Sequence, residues 1–337
     1  MLEKLSGAFG VSGADEEVKK IILDEITTYC DKIDILQDGN IIAFKKGKRT
    51  PEKKVMLYAH TDEVGFMVKS ITDEGYLKFE EVGGLDGRIL LSSRVFIGDD
   101  KIPGIIGIKA VHMTSKEERE KTVKMTDLYI DIGANSKEDA EKYVSKGDYI
   151  LFDSKYEKLS STKVKGKAFD NRAGVKILID LLKKDVEYDY FVSFNSLEEI
   201  GLKGAMTASN FVKPDIGLIL EGTTCSNLPD TKPWDESTVS GEGVALSISD
   251  GASCSSKELN EFIIKLANDN NISLQYKRTN RGGNDAGKVQ VAGEGVKTAV
   301  LSVPVRYIHS PVSVMDLRDL ESASKLAELF VNTIGGI

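Results

Sequence analysis

The spacing of hydrophobic positions changes character twice along the chain. In GADEEVKKIILDEITTYC, Val18, Ile21, Ile22 and Ile26 fall on one face at helical spacing, which predicts a helix. Two apolar runs follow, NIIAFKKG and VMLYAH, and both predict strands. From Ser70 to about Lys165 the segments become short, β-branched and broken by glycine: GYLKFEEVGG, GRILLSSRVFIG, IPGIIGIKAV and DLYIDIGA. That texture predicts a small barrel or sandwich. One helix interrupts it, SKEDAEKYVSKG, with Ser136 as its N-cap. After Lys165 long elements return: NRAGVKILIDLLKK, YDYFVSFNSL, DIGLILEG, KELNEFIIKLANDN, KTAVLSVPVRYIH and LRDLESASKLAELFVNTI. Strand and helix alternate there, which predicts an α/β fold, an open sheet flanked by helices. The chain reads as a domain made of residues 1–69 and 166–337, with a β-rich domain, 70–165, inserted between the two segments.

The ends of the predicted strands carry most of the unusual ionisable groups. VMLYAH delivers His60, one of three histidines, with Asp62 and Glu63 just behind it. YFVSFNSL runs into Glu198 and Glu199, DIGLILE ends in Glu221, and KTAVLSVPVRYIH ends in His309. Asp170, in KAFDNRAG, precedes a helix. In open α/β sheets the carboxyl ends of the strands are where ligands bind. Each residue alone has an ordinary structural role: a hydrogen-bonded buried histidine, a turn aspartate, an N-cap. Gathered at one sheet edge, so many charges need a cation to be tolerated. Imidazole and carboxylate donors without thiolate suit Zn²⁺, with Co²⁺ and Mn²⁺ as alternatives. The surplus of candidates over the three ligands of a single catalytic zinc points to two ions and a bridging carboxylate, for which Asp170 at a helix N-terminus is the natural choice. Neighbouring side chains of an extended segment point to opposite sides, so one of Glu198 and Glu199 can ligate while the other serves as a base. His112, in KAVHM, reads equally as structural or pocket-lining.

Composition removes other classes. A net charge of −8 and a pI near 5.2 argue against nucleic-acid binding. No apolar run approaches the roughly 20 residues that span a bilayer. The opening residues turn acidic at once and carry no secretory h-region, so a cytoplasmic location is expected. Cys30, Cys225 and Cys254 are odd in number and lack a CxxC pattern, which predicts reduced thiols.

The stretches AHTDEVGFMV, KAFDNRAG, SLEEIGLKGA, RGGNDAG and VPVRYIHSPVSVMDLRD, in this order, closely resemble the M42 family of metallo-aminopeptidases. Members carry labels such as glutamyl aminopeptidase, deblocking aminopeptidase or cellulase M. LSGAFGVSGADEEV resembles the family's N-terminus, so the likeness spans nearly the whole chain. It implies a zinc-exopeptidase-like fold and two divalent ions per subunit, zinc or cobalt, with manganese as a further option. It implies that His60 and Glu221 hold one ion, Glu199 and His309 the other, and that Asp170 bridges them. Glu198 becomes the general base, and Asp62 sits behind His60 and fixes its ring. The chain departs from the family at Glu221, in EGTT, where an aspartate is usual, and at Asn284, in GGNDAG, where GGTDAG is usual.

The expected activity is the removal of N-terminal residues from short peptides by water activated at the metal pair. A deacylase or carboxypeptidase of a related two-metal family is the nearest rival. An endoglucanase-type glycosidase is a weaker one, since glycosidases work with two carboxylates and usually no metal. A metal-stabilised assembly protein is a third. The resemblance further implies a homo-oligomer, a tetrahedral dodecamer built from dimers, with the inserted domain serving oligomerisation and gating. Neither nucleic-acid nor membrane partners are expected.

Overall fold

Strand Val55–His60 is buried along its whole length and divides its side chains between two cores. Val55, Leu57 and Ala59 enter one, Met56 and Tyr58 the other. A strand that is apolar on both faces has to be covered on both. The computed structural model, which describes residues 1–336, covers it with helices on each side. Glu16–Ile26, Phe169–Leu182, Lys257–Asp269 and Leu317–Thr333 pack into the larger core. Lys203–Val212 and the short Ala286–Val289 pack into the smaller.

The centre of the sheet is parallel: Tyr190–Asn195, Val55–His60, Ile216–Thr224 and Lys297–Arg306, in that order. Antiparallel strands extend it both ways. Ile41–Lys45 and Lys32–Ile35 lie beyond Tyr190–Asn195, while Ser313–Asp316, Lys163–Gly166 and Glu157–Lys158 lie beyond Lys297–Arg306. Parallel strands end at one edge, so the loops after His60, Asn195, Thr224 and Arg306 share it.

Strands Gly65–Ile71, Leu77–Val82, Arg94–Ile97, Ile102–Gly107, Tyr129–Asp131 and Tyr149–Phe152 close into an antiparallel barrel. Its interior is filled with side chains, among them Phe66, which stands edge-on to Phe79 and Phe152 at 4.9 and 5.4 Å between ring centres. The barrel starts earlier than residue 70, the expected boundary. Its first strand follows the His60 loop at Gly65, where a Cβ would lie 2.5 Å from a Val11 methyl and 2.6 Å from the Ile150 carbonyl. The return also comes earlier than residue 165: Val164 is buried in the larger core, and Lys163–Gly166 pairs with Ser313–Asp316 in the large sheet. The helix expected from Ser136 is one turn, Lys137–Ala140, capped by the Ser136 hydroxyl. The segment then bonds to the barrel instead, with Gly147 N donating to Val68 O at 2.9 Å.

Where barrel and sheet meet, the N-terminal residues are pinned by a buried ion cluster. Glu63 Oε1 accepts from Lys167 Nζ at 2.6 Å and Arg172 Nη2 at 3.0 Å. Lys167 also donates to Ala8 O, and Arg172 to Leu5 O. Breaking a buried pair on one side leaves a charge uncompensated, at a cost of ~3–5 kcal/mol. Glu63→Gln should therefore lower stability by about that amount in urea denaturation, and a loss of under ~1 kcal/mol would show that Glu63 does not compensate the two cations.

Candidate metal centre

Register places the site. Ile219 pairs with Tyr58, so Glu221 and His60, each two residues further along parallel strands, come level. Asn195 pairs with His60 on the other side, and Glu198 and Glu199 leave in the loop just beyond. Asp170 is drawn against this edge by its neighbour: Asn171 Nδ2 donates to Leu220 O at 2.8 Å, while its Oδ1 accepts from Gly174 N. Gly222 admits the approach, since a Cβ there would lie 2.8 Å from the Asp170 Cβ. The Asp170–Asn171 peptide bond is cis. His309 is not at a strand end. The strand stops at Arg306, and the turn after it places both Tyr307 and His309 at positive φ.

These elements bring His60, Asp170, Glu198, Glu199, Glu221 and His309 to one place. The ligand atoms of His60, Asp170 and Glu221 lie within 4.8 Å of one another, as do those of Asp170, Glu199 and His309, and those of His60, Glu198 and Glu199. His60 Nε2 stands 3.1 Å from Glu221 Oε1, 3.3 Å from Asp170 Oδ1 and 3.9 Å from Glu198 Oε2. His309 Nε2 is 3.3 Å from Glu199 Oε2 and 3.8 Å from Asp170 Oδ2. Asp170 thus turns one oxygen to each histidine. Asp170 Oδ1 and both carboxylate oxygens of Glu221 are buried with no hydrogen-bond partner. Buried carboxyl oxygens do not stay unsatisfied without a cost, and a divalent cation is the group that this donor set fits.

A second layer holds the first. His60 Nδ1 faces the backbone carbonyl of Asp62 at 3.0 Å, with the Asp62 carboxylate further away at 3.6 Å. That carboxylate mainly clamps the neighbouring loop, accepting from Glu198 N at 3.1 Å, Glu199 N at 3.2 Å and the Ser12 hydroxyl. Asp15 joins that loop to the one after His60, accepting from Ser196 Oγ and Thr61 Oγ1. His309 Nδ1 faces Gly84 O at 3.0 Å, so a residue following barrel strand Leu77–Val82 sets the ring of a residue from the large domain. Buried Asp285, from GGNDAG, accepts from Asn195 Nδ2 at 2.7 Å. Ser12, Asp15 and Asp285 lie in stretches that carry the family resemblance, but neither they nor Gly84 announce these roles in the sequence, since each acts through a distant partner. His112 lies in an exposed turn outside the cluster.

The protons of the cluster follow from burial and mutual repulsion. Burial lifts Glu198 and Glu199 well above the carboxylate range against the pull of His60, and lifts Glu221 to about 8. Burial alone would lower His60, but Glu198 and Glu221 outweigh it and carry the imidazole well above its ordinary value. Asp170 is raised by burial but held below its ordinary value by His60 and His309. A carboxyl whose value rises on folding stabilises the fold while protonated. For Glu221 that contribution is complete below its ordinary 4.5 and is lost as pH climbs through about 8. His60 has the same sign, and Asp170 acts only in acid, outside this window. Metal-stripped protein should therefore melt at a lower temperature at pH 8 than at pH 6. Binding a divalent ion should release protons, so affinity should rise with pH. Calorimetric titrations in buffers of different ionisation heat measure that release, and none at pH 7 would contradict the assignment.

The model of the M42 glutamyl aminopeptidase family matches residues 39–326. The chain belongs to the M42 family. It is an aminopeptidase, a hydrolase of peptide bonds. It is similar to the lysyl aminopeptidase of Pyrococcus furiosus, 28% identical over 342 residues, covering 99% of this chain and 96% of the relative. The TET aminopeptidase from the marine sediment archaeon Thaumarchaeota archaeon SCGC AB-539-E09 superposes with a TM-score of 0.95 at 34% identity, covering 99% of this chain and 95% of that one. The TET1 peptidase of Pyrococcus horikoshii, which can assemble into a tetrahedron or a large octahedral shell, superposes with a TM-score of 0.87 at 32% identity over 98% of both chains. Membership of M42, a metallopeptidase family, agrees with divalent metal at the carboxylate–histidine cluster. In this M42 aminopeptidase Asn284 is turned away from solvent, donating to Asp250 Oδ2 at 2.6 Å and accepting from Ala286 N, so it fixes its own loop. No helix is long and apolar enough to cross a membrane among the described residues.

Proposed function

We propose that the chain is a two-metal aminopeptidase that trims short peptides from the N-terminus, one residue at a time. The observation that carries this is Asp170, whose two oxygens face different histidines and which belongs to two candidate donor sets. His60, Glu221 and Asp170 would hold one divalent ion, and Glu199, His309 and Asp170 the other. Zinc or cobalt suits the donors, with manganese as a further option. Bound there, the pair supplies Lewis-acid polarisation of the scissile carbonyl and lowers the pKa of water.

The protein's own part in the reaction falls to Glu198. It belongs to neither Asp170 set, it lines the open pocket, and its backbone is fixed by Asp62. It takes the proton of the attacking water and returns it to the departing amine nitrogen. Asp62 orients His60 and the Glu198–Glu199 loop together. The carboxylate-rich wall suits a free, positively charged α-amino group, which separates an aminopeptidase from a deacylase or carboxypeptidase.

The inserted barrel segment exposes Ile89, Leu91, Ile105, Val111 and Met113. Apolar surface of this kind suits burial against other copies, and a dodecamer built from dimers goes with it. Three free cysteines suit the reducing cytoplasm. The test is a set of matched peptides with free and acetylated N-termini, run with metal-stripped and metal-loaded enzyme. Stepwise trimming of the free peptides alone, only with metal, supports the proposal, and equal cleavage of acetylated peptides sinks it. Light scattering tests the assembly, for which a mass near the 36.9 kDa of one chain is the failing result.

A further inference from the structure

Three buried side chains of the N-terminal segment, Ser6, Ser12 and Asp15, spend their hydrogen bonds on loops that carry the cluster. Ser6 Oγ donates to Lys167 O at 2.7 Å, three residues before Asp170. The Ser12 hydroxyl donates to Asp62 Oδ2, the oxygen that also accepts from Glu199 N. Asp15 Oδ2 accepts from Thr61 Oγ1, next to His60, and from Ser196 Oγ at 3.0 Å, two residues before Glu198. The backbone between them adds to this. Ala8 O accepts from Lys167 Nζ and Leu5 O from Arg172 Nη1, one on each side of Asp170. Gly10 O accepts from Glu63 N at 2.8 Å, and Ser12 N donates to Glu63 O at 3.2 Å. Residues 5–15 therefore join three segments that lie far apart in the chain: 61–63, 167–172 and 196–199. The joining piece is itself anchored. Leu2 and Leu5 enter the larger core, while Phe9 and Val11 pack with Leu151 of the barrel. Gly10 permits the close passage, since a Cβ there would strike the Arg172 guanidinium.

We propose that residues 5–15 are a positioning strap for the metal centre, with Ser12 and Asp15 as its working side chains. The proposal rests on the two-metal function above and adds what sets the ligand-bearing loops against one another. The strap contributes no side chain to the cluster, so it acts only through the residues it holds. Ser12 and Asp15 converge on one junction: Asp62 and Thr61 follow His60, and Ser196 and the Glu199 N–H belong to the loop that carries Glu198. Productive geometry at such a site is held to within about 0.5 Å, which loops meet only when other residues lock them. Groups that orient metal ligands are typically worth about 10–100-fold in metal affinity or activity. An N-terminal segment that served folding alone would change stability and leave both quantities where they were.

The experiment uses the whole chain, with zinc as the probe. Ser12→Ala and Asp15→Ala each remove the strap's bonds, whereas Ser12→Thr keeps the hydroxyl and Asp15→Asn keeps an acceptor oxygen. Three quantities are measured: thermal melting of the metal-stripped protein, zinc affinity by competition with a chromogenic chelator, and kcat and KM for leucyl-p-nitroanilide at saturating zinc. Each alanine variant should bind zinc about tenfold more weakly and lose about tenfold in kcat, with KM within about twofold of wild type. Ser12→Thr and Asp15→Asn should recover most of both losses. The two positions are independent, so misfolding of one alanine variant leaves the other to decide. Three results overturn the strap: lower melting with wild-type zinc affinity and kcat, conservative variants no better than alanine, or failure of both alanine variants to fold. A wild type that binds zinc and cleaves no peptide or anilide overturns the trimming function instead, and zinc affinity alone then decides the strap.

Discussion

Glu198→Gln should keep its metal and lose about a hundredfold or more of kcat, the usual contribution of a positioned general base. The substitution preserves shape and leaves the backbone bond to Asp62 intact, since that bond is made by the Glu198 N–H. What it removes is the group that can carry a proton from water to the leaving nitrogen. Glu199→Gln is the control. Glu199 Oε2 faces His309 Nε2 at 3.3 Å, within a set that includes Asp170, so its loss should appear first as lower metal content. Elemental analysis of both variants beside their kcat decides between the roles. If Glu198→Gln loses metal and Glu199→Gln keeps it, the two roles are reversed. If neither variant slows the reaction, water is activated elsewhere. The third donor set, His60 with Glu198 and Glu199, makes this comparison necessary, because distance alone does not divide the pair.

The sequence made the outline of the site legible for a simple reason. An apolar run that ends in a charge, as VMLYAH and DIGLILE do, marks a strand delivering that charge to a sheet edge. Parallel register then brings Glu221 level with His60 without further information. The domain edges were less legible, because the strand from Gly65 is continuous in texture with the segment before it, and Lys163–Gly166 looks like the short barrel strands it follows. Of the second layer only Asp62 was legible, through the family resemblance. Ser12 and Asp15 act on residues 50 and 46 positions away, and Gly84 on one 225 away. Gly84 also modifies the reading of the inserted domain. It brings no ligand of its own, yet a carbonyl at the end of its second strand orients His309.

Asp170→Asn should have the largest effect of any single substitution. Its Oδ1 is 3.3 Å from His60 Nε2 and its Oδ2 is 3.8 Å from His309 Nε2, so it is the one side chain common to both Asp170 donor sets. An amide keeps one oxygen and turns a donor toward the other histidine, so neither half retains its full charge. Metal content should fall at both positions, and activity by roughly a thousandfold or more, because Lewis-acid stabilisation contributes several kcal/mol and each ~1.4 kcal/mol is tenfold. Glu221→Gln supplies the contrast. Glu221 belongs only to the His60 set, so its loss should empty one position and leave the His309 side occupied. Glutamate carries one methylene more than aspartate, and Glu221→Asp asks whether that length sets metal preference. Zinc, cobalt and manganese titrations of the three variants, read by elemental analysis and kcat together, separate these cases. If Asp170→Asn keeps one full equivalent of metal and Glu221→Gln loses both, Asp170 does not bridge. The centre would then be organised around Glu221, and the two-position arrangement would have to be given up.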